Sequence, residues 1–177
     1  NAKLIAQGVN SQPLTVGGNS TTYRVRVSNA TIDAGATGYG IISFVRVSNN
    51  IEVSSSSKIS GLAAVYLKEG ANNTLVSLGN GTYTGTNKFA KESGAFGTIV
   101  IEGKNNTITL NNEKSVVNAV SANGSDKAQQ AAFLVLEGAT GNKIQITNAK
   151  AKVVTTGDRA HFAMIHNASN TTIVENK

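Results

Sequence analysis

An exact internal duplication is the feature of this sequence that most restricts its fold. The pentapeptide Val-Arg-Val-Ser-Asn occupies residues 25–29 and returns unchanged at residues 45–49. Weaker copies of the pattern continue towards the C-terminus. A repeat of about 20 residues or more indicates a solenoid, in which each repeat buries its apolar face on its neighbours.

The copies alternate apolar and polar residues with a period of two, as a strand with one buried face requires. We expect two apolar columns to point inwards: Val25, Val45, Val65, Thr98, Phe133 and Phe162, and two residues later Val27, Val47, Leu67, Val100, Val135 and Met164. The column between them, expected to point outwards, is Arg26, Arg46, Tyr66, Ile99, Leu134 and Ala163. This outward column is polar early and apolar late, so we expect an insertion loop or a neighbouring chain to cover its later part.

A corner rich in Asn and Gly follows each of these strands and leads to a second short strand. The apolar residues that mark the second strand are Ile32, Ile51, Leu75, Ile108, Ile144 and Ile173. Asn suits such corners because its side chain bonds the local backbone, tolerates left-handed dihedral angles and can stack in an amide ladder. A third strand of more variable length is marked at residues 41–42, 58–59, 82–83, 116–117 and 153–154.

Three strands and three corners per repeat predict an all-β protein, a right-handed parallel β-helix of about six coils. We treat residues 1–177 as one domain, because no shift in composition marks a second one. Residues 1–22 are predicted to form a ragged first coil or a cap. Two longer repeats place side-loop insertions at residues 79–97 and 111–131, and such loops often make the contacts of a solenoid.

The pattern of charge argues against nucleic acid as a partner. The formal net charge is +6, but the Lys residues are spread from Lys3 to Lys177 and form no dense basic run. The chain has no Cys, which removes disulfides and thiolate metal sites, and it has no apolar run long enough to insert into a bilayer. It begins at Asn1 without a leader, as expected of a piece of a larger protein.

Three glutamates, Glu69, Glu102 and Glu137, each precede a glycine at a similar place in the repeat. Adjacent coils lie about 4.8 Å apart, so these carboxylates can stack, and paired carboxylates are the acid and base of glycan-cleaving enzymes. The simpler interpretation is that a charged residue before a glycine corner points to solvent. No paired Asp cluster and no Arg or Lys clamp accompanies the three glutamates, so we predict no catalytic residues.

The remaining polar residues give one weak binding candidate and no metal site. His161 and His166 are an odd number of residues apart, which predicts opposite faces of a strand and no shared metal. The repeat of calcium-binding solenoids is absent from the sequence, so we predict no calcium and no cofactor. Arg26 and Arg46, with Arg24 nearby and Tyr66 one coil further on, form either a stripe that grips an acidic glycan or a partner's carboxylate, or a solvated edge.

The corners Asn-Asn-Thr-Ile at residues 105–108 and Gly-Asn-Lys-Ile at residues 141–144, the Glu-Gly turns, the lack of Cys and the low aromatic content resemble the passenger region of bacterial autotransporters. The resemblance covers residues 21–177. It implies a right-handed β-helix that is secreted through an outer-membrane barrel and displayed on the bacterial surface, tethered through the rest of its parent chain. The Gly-Asp-Ser-Gly motif of the protease branch does not occur in the sequence.

The resemblance implies a non-enzymatic adhesin fragment with a role in virulence, a stalk whose loops bind a host cell-surface protein or glycan. Two alternatives stay open. One is a β-helical polysaccharide lyase or glycosidase that uses Glu69, Glu102 and Glu137 as its acids. The other is a structural spacer that associates with itself through the apolar outer residues Ile99 and Leu134.

Overall fold

The computed structural model describes residues 2–6, 8–17, 23–44, 49–87, 94–122 and 128–175, and every regular element in these ranges is a β-strand. The strands form three parallel sheets of six strands each. Sheet A contains β1 (Ala2–Ile5), β4 (Ala30–Asp33), β7 (Ser57–Gly61), β10 (Gly81–Thr86), β13 (Ser115–Val120) and β16 (Lys152–Thr156). Sheet B contains β2 (Leu14–Val16), β5 (Tyr39–Ser43), β8 (Ala63–Leu67), β11 (Gly94–Ile101), β14 (Ala128–Val135) and β17 (Ala160–Ile165). Sheet C contains β3 (Arg24–Ser28), β6 (Asn50–Ser54), β9 (Leu75–Leu78), β12 (Thr107–Leu110), β15 (Lys143–Ile146) and β18 (Thr172–Glu175).

The chain passes through sheets A, B and C in turn, and one such passage is one coil. Each strand from β1 to β15 pairs in parallel with the strand three places later in the sequence. The predicted right-handed parallel β-helix of about six coils is therefore confirmed. The first 22 residues contribute β1 and β2, which pair with β4 and β5 as part of the first coil.

The core lies between the three sheets and is built from aligned columns of aliphatic residues. In sheet C, Ile51, Val76, Ile108 and Ile144 stack in register and are fully buried or nearly so. The residues that alternate with them along the strands are mostly polar and face outwards, as period two requires. The third strand predicted at residues 58–59, 82–83, 116–117 and 153–154 is confirmed in sheet A, where Ile59, Tyr83, Val117 and Val153 form its inward column. The remaining predicted position, residues 41–42, is wrong, because these residues belong to β5 of sheet B.

The duplicated pentapeptide does not stack on itself. Val25 and Val27 lie in β3 and pair with Ile51 and Val53 of β6. One coil therefore contains 26 residues here, and not the 20 that separate the two copies. Of the second copy only Asn49, directly before β6, is described, and residues 45–48 fall outside the described part of the chain. The repeat correctly indicated a solenoid but predicted the wrong partner strand for its own first copy.

Several predicted column positions are wrong by one residue or by one sheet. Ile101 and Ile165 continue the inward column of Leu67 and Val135, whereas Val100 and Met164 point outwards with Tyr66 and Leu134. Ile99 is fully buried in the core and is therefore not an outer residue. Two predicted positions of the second strand are also wrong. The inward residue of β9 in sheet C is Val76 and not Leu75, and Ile32 belongs to sheet A and not to sheet C.

A break in the alternation of sheet B explains why the inward and outward residues of β11 and β17 were predicted wrongly. Two consecutive residues point inwards in each coil, for example Ala64 with Val65 and Ala132 with Phe133. The position that breaks the alternation is occupied by small residues, namely Gly40, Ala64, Thr98 and Ala132. A side chain at Gly40 would bring its Cβ to 2.6 Å from Ile59 Cγ2, so this position is crowded between coils. In β17, the edge strand of sheet B, the aligned residue is Phe162, which is large and 43% exposed.

The predicted loop insertions are shorter than expected, because most of their residues are in strands. Residues 79–97 include β10 and the start of β11, and residues 111–131 include β13 and the start of β14. The connections between these strands are residues 87–93 and 121–127, and residues 88–93 and 123–127 fall outside the described part of the chain.

The corners that precede sheet C confirm that Asn adopts left-handed dihedral angles there. The aligned positions Asn73, Asn105, Gly141 and Asn170 have φ values of 54°, 56°, 68° and 51°. Within each corner the following residue faces the interior, as Asn106 and Asn142 do. An L-residue other than Asn or Asp adopts this conformation at a cost, which explains the composition of the corner.

The buried corner amides bind backbone groups of adjacent coils. Asn142 Oδ1 accepts a hydrogen bond from the Asn106 N–H at 2.9 Å, and Asn106 Oδ1 accepts one from the Thr74 N–H at 2.8 Å. Asn142 Nδ2 also donates to the Gly103 carbonyl at 3.0 Å. The predicted ladder of stacked amides is thus a ladder in which each side-chain oxygen accepts from the backbone of the preceding coil.

We expect Asn142→Ala to lower the free energy of unfolding by about 2 kcal/mol or more, because it leaves the buried Asn106 N–H and Gly103 carbonyl without partners. Asn72→Ala is the matched control. Asn72 makes the same kind of bond to the Lys104 N–H at 2.7 Å, but at an exposed corner where water replaces it. Urea denaturation measures both, and an equal loss of stability in the two variants would contradict the prediction.

Candidate functional site

The outer face of sheet B differs from the outer faces of sheets A and C. In sheets A and C the outward residues are mostly polar, such as Lys58 and Thr82 in sheet A and Glu52 and Thr109 in sheet C. In sheet B the outward residues are mostly apolar: Tyr39, Ile42, Ala63, Tyr66, Val100, Ala131, Leu134 and Met164. Five of these residues, Ile42, Ala63, Val100, Ala131 and Leu134, are buried, so the face is accessible mainly at the half-buried Tyr39, Tyr66 and Met164.

A groove lies on this face, and we call it the aromatic groove. Its lining is Tyr39, Leu62, Ala63, Tyr66, Ala95, Phe96, Gly97, Val100, Leu134 and Leu136. Ala63, Val100 and Leu134 are buried, whereas the two tyrosines are half-buried. The Tyr39 and Tyr66 rings are tilted by 54° with their centroids 5.0 Å apart. The volume of about 150 Å³ is that of a single ring or branched aliphatic side chain.

An acidic cleft adjoins the aromatic groove at the corner between sheets B and C. It is lined by Glu69, Gly70, Asn72, Glu102, Lys104, Glu137 and Gly138 and has a volume of about 720 Å³. The three glutamates do not stack in one column. Leu67, Ile101 and Val135 are aligned in successive coils, and Glu102 is the residue directly after Ile101. Glu102 therefore aligns with Lys68 and Leu136, and not with the other two glutamates. The structure nevertheless brings all three carboxylates to one depression, which the sequence only suggested.

Glu102 is held in place by two donors from the neighbouring coil. The Tyr66 hydroxyl donates to Glu102 Oε1, and the Glu69 N–H donates to Glu102 Oε2 at 3.2 Å. Tyr66 therefore forms a wall of the aromatic groove with its ring and contacts the acidic cleft with its hydroxyl. The two depressions are therefore neighbours that meet at the Tyr66–Glu102 hydrogen bond.

The environment keeps the tyrosines of this site protonated. Burial raises the pKa of Tyr66 far above its ordinary value of 10.0, and the hydrogen bond to Glu102 and the charge of that carboxylate raise it further. Burial also raises the pKa of Tyr39, with a smaller contribution from Glu102. The neutral Tyr66 hydroxyl orients the Glu102 carboxylate through its hydrogen bond. A phenol whose pKa is raised in this way is poorly matched to proton transfer near neutral pH.

None of the ion pairs found among the described residues includes Glu69, Glu102 or Glu137. The pairs there are Arg24–Glu52, Arg26–Glu52 and Lys150–Glu113. Lys104 lines the acidic cleft with the glutamates but lies beyond ion-pair distance of them. The cleft is therefore a locally acidic surface on a chain with a net charge of +6.

The predicted basic and aromatic stripe is not formed. Arg24 and Arg26 lie on the outer face of sheet C, where Glu52 contacts them at 3.5 Å and 3.1 Å. Tyr66 lies in sheet B, and Arg46 falls outside the described residues. The stripe assumed that Arg26 and Tyr66 share one sheet, and they do not. Of the three predicted binding residues, only Tyr66 belongs to the site described here.

The prediction that His161 and His166 lie on opposite faces is also wrong. His161 aligns with Ala131 and His166 with Leu136, both part of the outward apolar cluster, because the break in sheet B shifts the alternation. Five residues of extended chain still separate them by about 16 Å, too far for one metal ion. In the described ranges no three His, Asp or Glu side chains are arranged so that they could hold a metal ion, and this includes the three glutamates of the acidic cleft.

Sequence reasoning missed Tyr39, Phe96 and Leu136. Tyr39 precedes Tyr66 by 27 positions and joins it only because β5 and β8 are neighbours.

Within the described part of the chain, no helix is long and apolar enough to cross a membrane. No known protein family, curated protein or solved structure matches the chain.

We expect Glu102→Gln to lower the pKa of Tyr66 while leaving it above the ordinary value, because the carboxylate charge is lost but burial remains. Tyr83 is the internal control, since burial alone raises its pKa. Residue-specific NMR titration of the tyrosine rings measures both. An unchanged Tyr66, or an equal shift of Tyr83, would contradict the assignment. Since the folded state holds these protons more tightly, stability should fall once the pH exceeds the ordinary tyrosine value.

Proposed function

We propose that this chain is part of a surface-exposed bacterial adhesin, in which the β-helix is a rigid stalk and the outer face of sheet B binds a host cell-surface protein or glycan. The observation that carries the proposal is the combination of the aromatic groove and the unpaired acidic cleft on a single face of the solenoid. The other two sheets present mostly polar outer faces. The resemblance to autotransporter passengers supports a location at the cell surface.

The fold suits this role because it displays the site without needing to move. The strands on which the site lies pair with neighbours on both sides, as β8 does with β5 and β11. Binding residues on a rigid scaffold lose little conformational entropy on association. Aromatic residues in partly desolvated pockets contribute most to such interfaces, and Tyr39, Tyr66 and Phe96 are of this type.

A glycan-cleaving enzyme is the second candidate, and the acidic cleft is the observation that favours it. Its three glutamates line one depression with a volume of about 720 Å³. Against it, Glu102 already accepts hydrogen bonds on both oxygens, from Tyr66 and from the Glu69 backbone. Self-association through sheet B is a third possibility, with Val100 in the outer position that the sequence assigned to Ile99.

We expect Tyr39→Ala and Tyr66→Ala each to weaken binding of the purified chain to host cells by about tenfold or more, because each removes aromatic contact area from the groove. Leu75→Ala is the control. Leu75 is an apolar residue 53% exposed on the outer face of sheet C, and its loss should leave binding unchanged. Flow cytometry with labelled protein, after thermal melts show intact folding, measures the effect.

Three outcomes would overturn the proposal. Equal losses in all three variants would show that the groove is not the binding surface. Cleavage of a uronate polymer that Glu102→Gln abolishes would establish the enzyme instead. Binding to neither cells nor a broad array of glycans and receptors, together with concentration-dependent oligomers in light scattering, would identify a self-associating spacer.

A further inference from the structure

The aromatic groove is suited to a single apolar side chain. Its floor is formed by Ala63, Val100 and Leu134, which are buried and offer no hydrogen-bonding side-chain atoms. A sugar ring would need donors and acceptors for its hydroxyls, but the floor supplies neither and the Tyr66 hydroxyl already donates its proton to Glu102. A volume of about 150 Å³ accommodates a ring or branched side chain of roughly the size of benzene.

The adjoining acidic cleft selects for positive charge. Glu102 is fixed by the Tyr66 hydroxyl and the Glu69 N–H, so its carboxylate is oriented before any ligand arrives. Lys104 on the same cleft offsets one of the three negative charges and leaves an excess of carboxylates. A guanidinium or ammonium group with its own apolar neighbour would match both depressions, since charge complementarity across an interface determines partner and on-rate.

Tyr66 links the two halves of the site, because its ring lines the groove and its hydroxyl contacts Glu102. An extended peptide advances by about 3.3 Å per residue and alternates its side chains between two faces, so a basic residue two positions from an apolar residue reaches the cleft while the apolar side chain fills the groove. We infer that the outer face of sheet B binds an extended peptide segment that places an apolar side chain between Tyr39 and Tyr66 and a basic side chain against Glu102. The inference rests on the proposed adhesive function and identifies its partner as a protein.

The test uses the full chain and amidated, acetylated peptides of the sequence Gly-Ser-Phe-Gly-Arg-Ser-Gly, with versions in which Phe is replaced by Ser or Arg by Gln. Isothermal titration measures binding to each. We expect the parent peptide to bind and each replacement to weaken binding by about tenfold, which corresponds to the loss of one anchor. Affinity for the parent peptide should also fall as the salt concentration rises.

Variants of the chain separate local from overall charge. Glu102→Gln and Glu137→Gln should each weaken the parent peptide by several-fold. Glu113→Gln removes the same charge from a different surface, where Glu113 pairs with Lys150 at 3.2 Å, and should leave binding unchanged. If Glu102→Gln disturbs the fold, Glu137→Gln still tests the cleft, because Glu137 is exposed and makes no hydrogen bond found in the described part of the chain.

Two results would overturn the inference. One is equal affinity for the Arg and Gln peptides, or an equal effect of Glu102→Gln, Glu137→Gln and Glu113→Gln. The other is no binding of the parent peptide at millimolar concentration. If cells bind in a Tyr39-dependent way but the peptide neither binds nor competes, the adhesive function stands and the ligand is a glycan. If cells do not bind either, the proposed function fails with the inference.

Discussion

The parallel hydrogen-bonded ladder between successive coils is the interaction on which the rest of this structure depends. Each strand is held in register by the strand before it and the strand after it, so inward residues such as Ile51, Val76 and Ile108 stack in one column. A slip of one residue would expose the whole apolar set of a strand, which makes the register mutually enforced across coils. The same ladder explains why an unusual local feature, once present in one coil, recurs in the next.

The break in sheet B is such a feature, and it shapes the surface of the molecule. Two consecutive inward residues in each coil move the following side chain to the outside, so Tyr66, Val100 and Leu134 share an outer face. That face carries the aromatic groove, and the corner beside it carries the acidic cleft. The Tyr66–Glu102 hydrogen bond joins the two, so a shift in backbone pairing has a direct chemical consequence at the candidate site.

Charge is distributed in two different ways over this chain. The Lys residues are scattered and give a net charge of +6, whereas Glu69, Glu102 and Glu137 meet at one corner. Scattered charge maintains solubility and carries little specificity, but concentrated charge beside an apolar groove distinguishes one partner from another. This contrast is the physical reason for treating the face of sheet B as a recognition surface and the basic residues of sheet C, already paired with Glu52, as a solvated edge.

The fold class, the approximate number of coils and the chemistry of the corners could be predicted from the sequence. These properties depend on local signals: alternation with period two, the Ile columns of sheet C, and Asn at positions such as Asn73 and Asn105 that require positive φ. Only the tertiary structure decided the register of sheet B, the partner of the duplicated pentapeptide and the grouping of Tyr39, Tyr66 and Glu102. These depend on contacts between residues about one coil apart and on a break that allows two neighbours to point inwards. An apolar run such as Thr98 to Ile101 fits either register equally well, so local alternation could not choose between them.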